Sequence, residues 1–256
     1  MSNAPVIVRL GSGQKKILVM SPVMPVWDHG AFFAPLSDYF QSRGYSLLIV
    51  DSLSLPIQTG EKITGLAQRW KTVLAEHAPF DLIAGGALGG ALAQLLALEW
   101  PETPLLLISA PSRSTPALER SLSRMIELAQ SGDLLQAEKR LAWCVLPEST
   151  QPEPALRAIT VNGDALSRLR LVTGFTYLLG LDIQTQTASH SGPLLNLIGE
   201  RSRLVRAENF SLPPEPERQM KLIPAGGMRP LNDNLALVIQ HIEAQLLQPA
   251  AAGGHL

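Results

Sequence analysis

Asp81-Leu-Ile-Ala-Gly-Gly-Ala-Leu-Gly-Gly-Ala-Leu-Ala-Gln94 begins as an apolar strand and continues as a helix of small residues. The join is a G-x-A-x-G-G motif, with Gly85, Gly89 and Gly90 around Ala87. A sharp strand-to-helix turn holds its central residue in a costly backbone conformation. It needs glycine nearby because a Cβ there collides with the neighbouring turn. The motif therefore predicts a nucleophile elbow in which Ala87 stands where G-x-S-x-G carries its serine. A methyl group cannot attack a carbonyl. Taken alone, the same residues are also what a tight helix–sheet contact needs, so the surrounding chain has to decide.

Short apolar runs at 46–50, 82–84, 105–109, 194–198 and 221–223 are bounded by Gly, Pro, Asp or Ser. In the first part of the chain such runs alternate with helical patterns at 31–43 and 63–78, the signature of βα units building a mostly parallel sheet. The first helix stops at Gly44 and the second before Pro79, as helices approaching glycine and proline do. Runs 6–10 and 16–20 flank Gly11-Ser-Gly13, which predicts an opening antiparallel hairpin. A last helix is expected at 232–247, and the small, glycine-rich 248–256 reads as a flexible tail. Between 112 and 191 the strand signal stops. Helical periodicity takes over at 118–131, 134–142 and 165–179, with breaks at Gly132-Asp133, at 147–154 and at Asn162-Gly163. The expected division is one discontinuous core, 1–111 with 192–247, and a helical cap at 112–191. The plainer alternative for 112–191 is a helical layer packed on the sheet.

The chain has 256 residues, 46% of them hydrophobic, enough to bury a full core as one α/β domain. With 21 basic and 22 acidic residues it carries a formal charge of −1 and no long block of like charge, which speaks against nucleic acid as a partner. No run is apolar enough for a membrane span and the N-terminus does not read as a signal peptide, so a cytoplasmic protein is expected. Cys144 is the only cysteine, which excludes an internal disulfide, and the five histidines show no metal-ligand spacing. No cofactor is expected.

With the elbow, the βα order and the helical insertion together, the chain resembles the α/β-hydrolase superfamily over nearly its whole length. It is most similar to small capped carboxylesterases of the pimeloyl-ester esterase type. The resemblance implies an α/β-hydrolase fold, a mostly parallel central sheet flanked by helices with an inserted helical cap. In that group the first parallel strand ends in a His-Gly pair that opens the oxyanion loop; here it runs into Ser21-Pro-Val-Met24. The usual Asp-x-x-Gly-x-Gly is reduced to Asp51-Ser-Leu-Ser-Leu-Pro56. The acid motif reads Gly199-Glu-Arg-Ser-Arg-Leu-Val205, which puts Ser202 at the acid position. The histidine motif reads Ile223-Pro-Ala-Gly-Gly-Met-Arg229, which puts Met228 at the histidine position.

On this mapping Ala87, Ser202 and Met228 form a degenerate triad: no nucleophile, no carboxylate to steady an imidazolium, no general base. The expected function is a pseudo-hydrolase that binds a small apolar, acyl or carboxylate ligand, or docks a partner protein. The N–H of Leu88, with one from Val23 or Met24, is expected to form a residual oxyanion hole. Arg113, Arg201, Arg203 and Arg229 lie on loops that such a fold gathers at one end of the sheet, with Arg113 and Arg229 the expected ligand contacts. Met125, Leu128, Trp143, Phe175 and Tyr177 are candidate cavity residues of the cap. A rival reading makes the protein a lyase or cyclase that uses Asp28 or His29 as its base. A third gives it weak esterase or thioesterase activity through Ser21 or Ser202. Glu200 stands next to the acid position but at a different point of the turn.

Overall fold

The computed structural model describes residues 4–151, 164–211 and 215–247. Seven strands form one sheet in the order β1-β3-β2-β4-β5-β6-β7. They are β1 Ile7–Leu10, β2 Lys15–Met20, β3 Tyr45–Val50, β4 Leu82–Gly86, β5 Leu105–Ile108, β6 Leu194–Gly199 and β7 Arg218–Ile223. From β2 to β7 every neighbouring pair is parallel. Strands covered on both faces read as unbroken apolar runs, and β4, β5 and β6 are buried along their whole lengths.

The opening hairpin does not form. β1 pairs antiparallel with β3, Ile7 opposite Val50, and makes no ladder with β2. Both edges of β2 are already taken: Ile17 lies opposite Leu47 of β3 on one side and Leu82 of β4 on the other. The link between β1 and β2 is instead pressed onto the turn before β3, where a Cβ on Gly13 would come within 2.1 Å of the Gly44 carbonyl oxygen.

Helices α1 Ala34–Gln41, α2 Ile63–Leu74 and α3 Leu88–Leu96 lie between β2 and β5. Then come α4 Pro116–Gln130, α5 Leu134–Val145, α6 Ala165–Thr176 and the last long helix α7 Leu235–Gln245. The first two helices are shorter than their periodicity suggests because a 3₁₀ turn occupies 31–33 before α1 and another occupies 75–77 after α2. One face of the sheet packs on Trp70, Leu74 and Leu92 of α2 and α3, the other on Leu36, Phe40, Val238 and Ile242 of α1 and α7. The three long helices described between β5 and β6, α4, α5 and α6, each begin at a side-chain cap: Thr115 accepts from the Leu118 N–H, Asp133 from Gln136 and Asp164 from Ser167. The breaks expected at 152–154 and 162–163 and the tail at 248–256 lie outside the described residues.

Two polar clasps tie α6 to the loop between β3 and α2. The Arg170 guanidinium donates to both carboxylate oxygens of Asp51 at 2.9 and 2.8 Å and, through Nε, to the Met24 carbonyl at 2.9 Å. Beyond the C-terminal end of the helix, the Tyr177 hydroxyl donates to Glu61 at 2.7 Å, and Glu61 is held in turn by Arg69. Between the clasps Gly174 lets the helix sit on the loop after β2, since a Cβ there would meet Val23 Cγ2 at 2.7 Å. Among the described residues no helix is long and apolar enough to cross a membrane.

Candidate ligand site at the strand-to-helix turn

Ala87 sits between β4 and α3 with φ 46° and ψ −114°, a conformation that residues with a Cβ rarely adopt. Such a residue stores about 1–3 kcal/mol, which its surroundings must offset. Those surroundings are the glycines. A Cβ on Gly85 would lie 2.3 Å from the Gly89 carbonyl oxygen, one on Gly89 would lie 2.1 Å from the Met20 oxygen, and one on Gly90 would lie 2.3 Å from the Ala110 methyl. The Ala87 N–H donates across the sheet to Ile108 at 3.0 Å, which fixes the turn to β5.

Ala87 opens onto a cavity of about 410 Å³. Gly86 and Ala87 share its wall with Val23 and Met24 of the loop after β2, Met228 and Arg229 of the loop after β7, and Phe175 just inside the end of α6. Leu118 and Leu122 of α4 and Leu141 and Val145 of α5 close the other side. Met228 is half-buried, and its thioether sulfur accepts from the Val205 N–H at 3.3 Å while its own N–H donates to Val145. Ser202 is buried beside this loop but is not on the cavity wall, and its hydroxyl has no partner among the described residues. Glu200 accepts from the Ala225 N–H at 3.2 Å, away from the cavity.

The Leu88 side chain is fully buried and does not reach the wall, so the residue offers only its N–H, at the first turn of α3. In the loop after β2, Pro22 and Pro25 have no N–H, and those of Val23 and Met24 find no acceptor among the described residues. These are the backbone donors around the turn; on the wall itself Arg229 and Asn232 carry side-chain donors as well.

The remaining candidates separate. Asp28 lines the cavity, but its two carboxylate oxygens accept from the N–H groups of Gly30 at 2.9 Å and Phe32 at 2.8 Å. That turn puts His29 at its outer corner, exposed and off the cavity wall, which removes it as a base for a cavity reaction. Arg113 is also not a cavity residue. Its backbone forms an isolated antiparallel β-bridge with Asp182, and its Nε donates to the Glu208 carbonyl at 2.8 Å on the exposed side of the loop. Arg203 lies over the Trp143 ring at 4.0 Å and Arg201 is exposed, so of the four loop arginines only Arg229 lines the cavity. Of the cap residues expected there, Phe175 is in place; Met125 is in the core, Leu128 packs against that core, Trp143 packs with arginines and Tyr177 serves the Glu61 clasp. Ser21 is buried off the wall, and its hydroxyl accepts from the Ser52 N–H at 3.0 Å. Cys144 is buried as well, and burial pushes its thiol above the ordinary range.

Leu118, Leu122, Leu141 and Val145 carry a signal of helical periodicity only. It marks an apolar stripe without separating cavity-facing members from core members such as Met125.

No protein-family model matches the chain and no curated protein matches it in sequence. Solved structures do match. An α/β-hydrolase, MGS-M2, from a Medee basin deep-sea metagenome library has a TM-score of 0.75 at 14% identity over 96% of this chain and 95% of that one. An esterase from Exiguobacterium antarcticum has a TM-score of 0.73 at 15% identity over 95% and 96%. The 2-hydroxy-6-oxo-6-phenylhexa-2,4-dienoate hydrolase from Rhodococcus sp. strain RHA1 has a TM-score of 0.74 at 14% identity over 95% of each chain. Likeness at such identity is likeness of fold. The sheet order, the strained turn after β4 and these superpositions together make this chain an α/β-hydrolase fold.

Proposed function

We propose that this protein binds a small apolar ligand bearing a carbonyl or carboxylate and does not hydrolyse it. One observation carries the reading: the residue at the strained turn, which looks onto the cavity, is an alanine. Loss of a nucleophile costs a serine hydrolase on the order of 10⁶ in kcat, so what such a site keeps is binding and its backbone donors. Met228 on the same wall supports the reading, because its sulfur is no base and is already engaged by the Val205 N–H. The predominantly apolar wall and a volume of about 410 Å³ suit a small ligand. For the lyase or cyclase alternative, Asp28 is the one remaining candidate base, and both its oxygens are already hydrogen-bonded.

The test is restoration. The triple variant Ala87→Ser, Ser202→Asp, Met228→His is assayed on p-nitrophenyl butyrate beside the unmodified protein. The unmodified protein is expected at the buffer background and the folded triple variant above it. Equal hydrolysis above background by both proteins would defeat the proposal, since it would require a nucleophile other than residue 87.

A further inference from the structure

The loop after β2 supplies one wall of the cavity through Pro22, Val23, Met24 and Pro25. Its two ends are fixed. Ser21 donates its N–H to the Val50 carbonyl at 3.1 Å and accepts from the Ser52 N–H, while Asp28 holds the turn that follows through the N–H groups of Gly30 and Phe32. Between those ends, across residues 22–27, one hydrogen bond is found among the described residues: the Arg170 Nε donates to the Met24 carbonyl at 2.9 Å. Pro22 and Pro25 have no N–H, so the stretch has few means of fixing itself. The donor that fixes it is itself held. The Arg170 fork meets both oxygens of Asp51, and only 7% of its side chain is exposed. Asp51 in turn is pinned at the end of β3 by its N–H on the Val6 carbonyl and by the Leu53 N–H on its Oδ1.

One helical turn further along α6, Gly174 faces the same loop: a Cβ there would lie 2.7 and 2.9 Å from the two methyl carbons of Val23. Phe175, the next residue, is on the cavity wall. Helix α6 is thus a template for the loop, with a polar anchor on Met24 and a steric stop on Val23. The two residues it grips are those of this wall whose N–H groups have no acceptor among the described residues. Such donors serve a ligand oxygen best when they are in place before the ligand arrives, because ordering a loop on binding costs affinity. From the single hydrogen bond that holds this wall, we infer that Arg170 is a positioning residue of the ligand site: through the Met24 carbonyl it keeps the Val23 and Met24 N–H groups set for a ligand oxygen. Arg170 is not on the cavity wall and acts only through the loop. The inference rests on the reading of the cavity as a ligand site and adds the residue that shapes it.

Isothermal titration of the full chain with octanoate and with 1-octanol, which shares the tail but has no carboxylate, tests it. In Arg170→Met the octanoate affinity is expected to fall on the order of tenfold, the size of one hydrogen bond to a charged group. Bonds to a charged acceptor are about twice as strong as neutral ones, so 1-octanol is expected to lose only about threefold. Tyr177→Phe loosens the other clasp of the same helix, leaves the Met24 bond in place and is expected to change neither affinity. Unfolding curves show whether each variant is folded before it is titrated. If Arg170→Met is not, Arg170→Lys is read in its place, because it keeps a cation beside Asp51 but lacks the planar fork that meets Asp51 and Met24 together. An unchanged octanoate affinity, an equal loss for 1-octanol, or an equal loss in Tyr177→Phe would make Arg170 a purely structural residue and overturn the inference; the ligand-site reading survives all three. Binding of neither compound by the unmodified protein removes that reading, and the inference with it.

Discussion

Replacing Arg170 by methionine keeps the length of the side chain and removes its guanidinium, leaving the Asp51 carboxylate without the partner that meets both its oxygens. The pair is deeply buried, with 7% and 3% of the two side chains exposed, so water cannot take over the lost bonds. Breaking a buried pair from one side costs about 3–5 kcal/mol. The Met24 carbonyl loses its donor as well. For a chain of this size each kcal/mol corresponds to ~2–4 °C in the unfolding midpoint, which puts the expected loss at roughly 6–20 °C. Thermal unfolding followed by circular dichroism measures it. The double variant Asp51→Asn, Arg170→Met supplies the control: with no bare charge left behind, its loss is expected to fall short of the sum of the single losses by about 1–3 kcal/mol. A single-variant loss below 1 kcal/mol, or strict additivity, would show that the clasp does not hold α6 to the loop after β3 and would refute the argument from burial.

Two further perturbations test the core. Gly89→Ala sets a Cβ 2.1 Å from the Met20 carbonyl oxygen, a backbone atom that cannot step aside, so soluble expression or the unfolding midpoint is expected to collapse where a glycine-to-alanine change in an open helix gains stability. His190 is buried, and burial, helped by the charge of Arg218 and opposed by its bond to Thr103, holds its pKa below the ordinary value of 6.5. Between that lowered value and 6.5 the unfolded chain binds the extra proton, so this residue's contribution is stabilising above the window and is lost as pH falls through it. In urea titrations between pH 7.5 and 5, His190→Gln is expected to flatten the acid-side decline in stability. An unchanged slope would mean that other groups set it.

What the sequence made legible was local. Gly85, Gly89 and Gly90 announce their turn by their spacing around residue 87, although only the Gly85 contact, with the Gly89 carbonyl, lies within the turn, while Gly89 and Gly90 meet Met20 and Ala110 of neighbouring chain segments. The pairing of β1 was not legible, since Gly11-Ser-Gly13 is consistent with a hairpin and only the occupancy of both edges of β2 rules it out. Arg170 gave no signal either: its partner lies 119 residues away, and an arginine in an amphipathic helix looks like any solvated arginine until the other element is in place. The same limit hid which helix residues face the cavity. The periodicity of α4 marks Leu118, Leu122 and Met125 alike, while the shape of the gap beneath them selects the first two.

The strained turn and the chemistry it usually serves are held by different atoms. The backbone at residue 87 is dictated by the approach of Gly89 to the Met20 carbonyl, by Gly90 against Ala110 and by the Ala87 N–H on Ile108, none of which involves the side chain at 87. A serine there is not needed to keep φ at 46°, and an alanine does not relax it. The shape of the turn therefore does not depend on the side chain at 87, and superposition on hydrolases at 14–15% identity carries no information about turnover. What bears on turnover is a handful of side-chain atoms: the methyl of Ala87, the sulfur of Met228 already bonded to Val205, and the carboxylate of Asp28 committed to its own turn. With those atoms, the function proposed for the site rests on its backbone N–H groups and its apolar wall, which could hold a ligand without cleaving it.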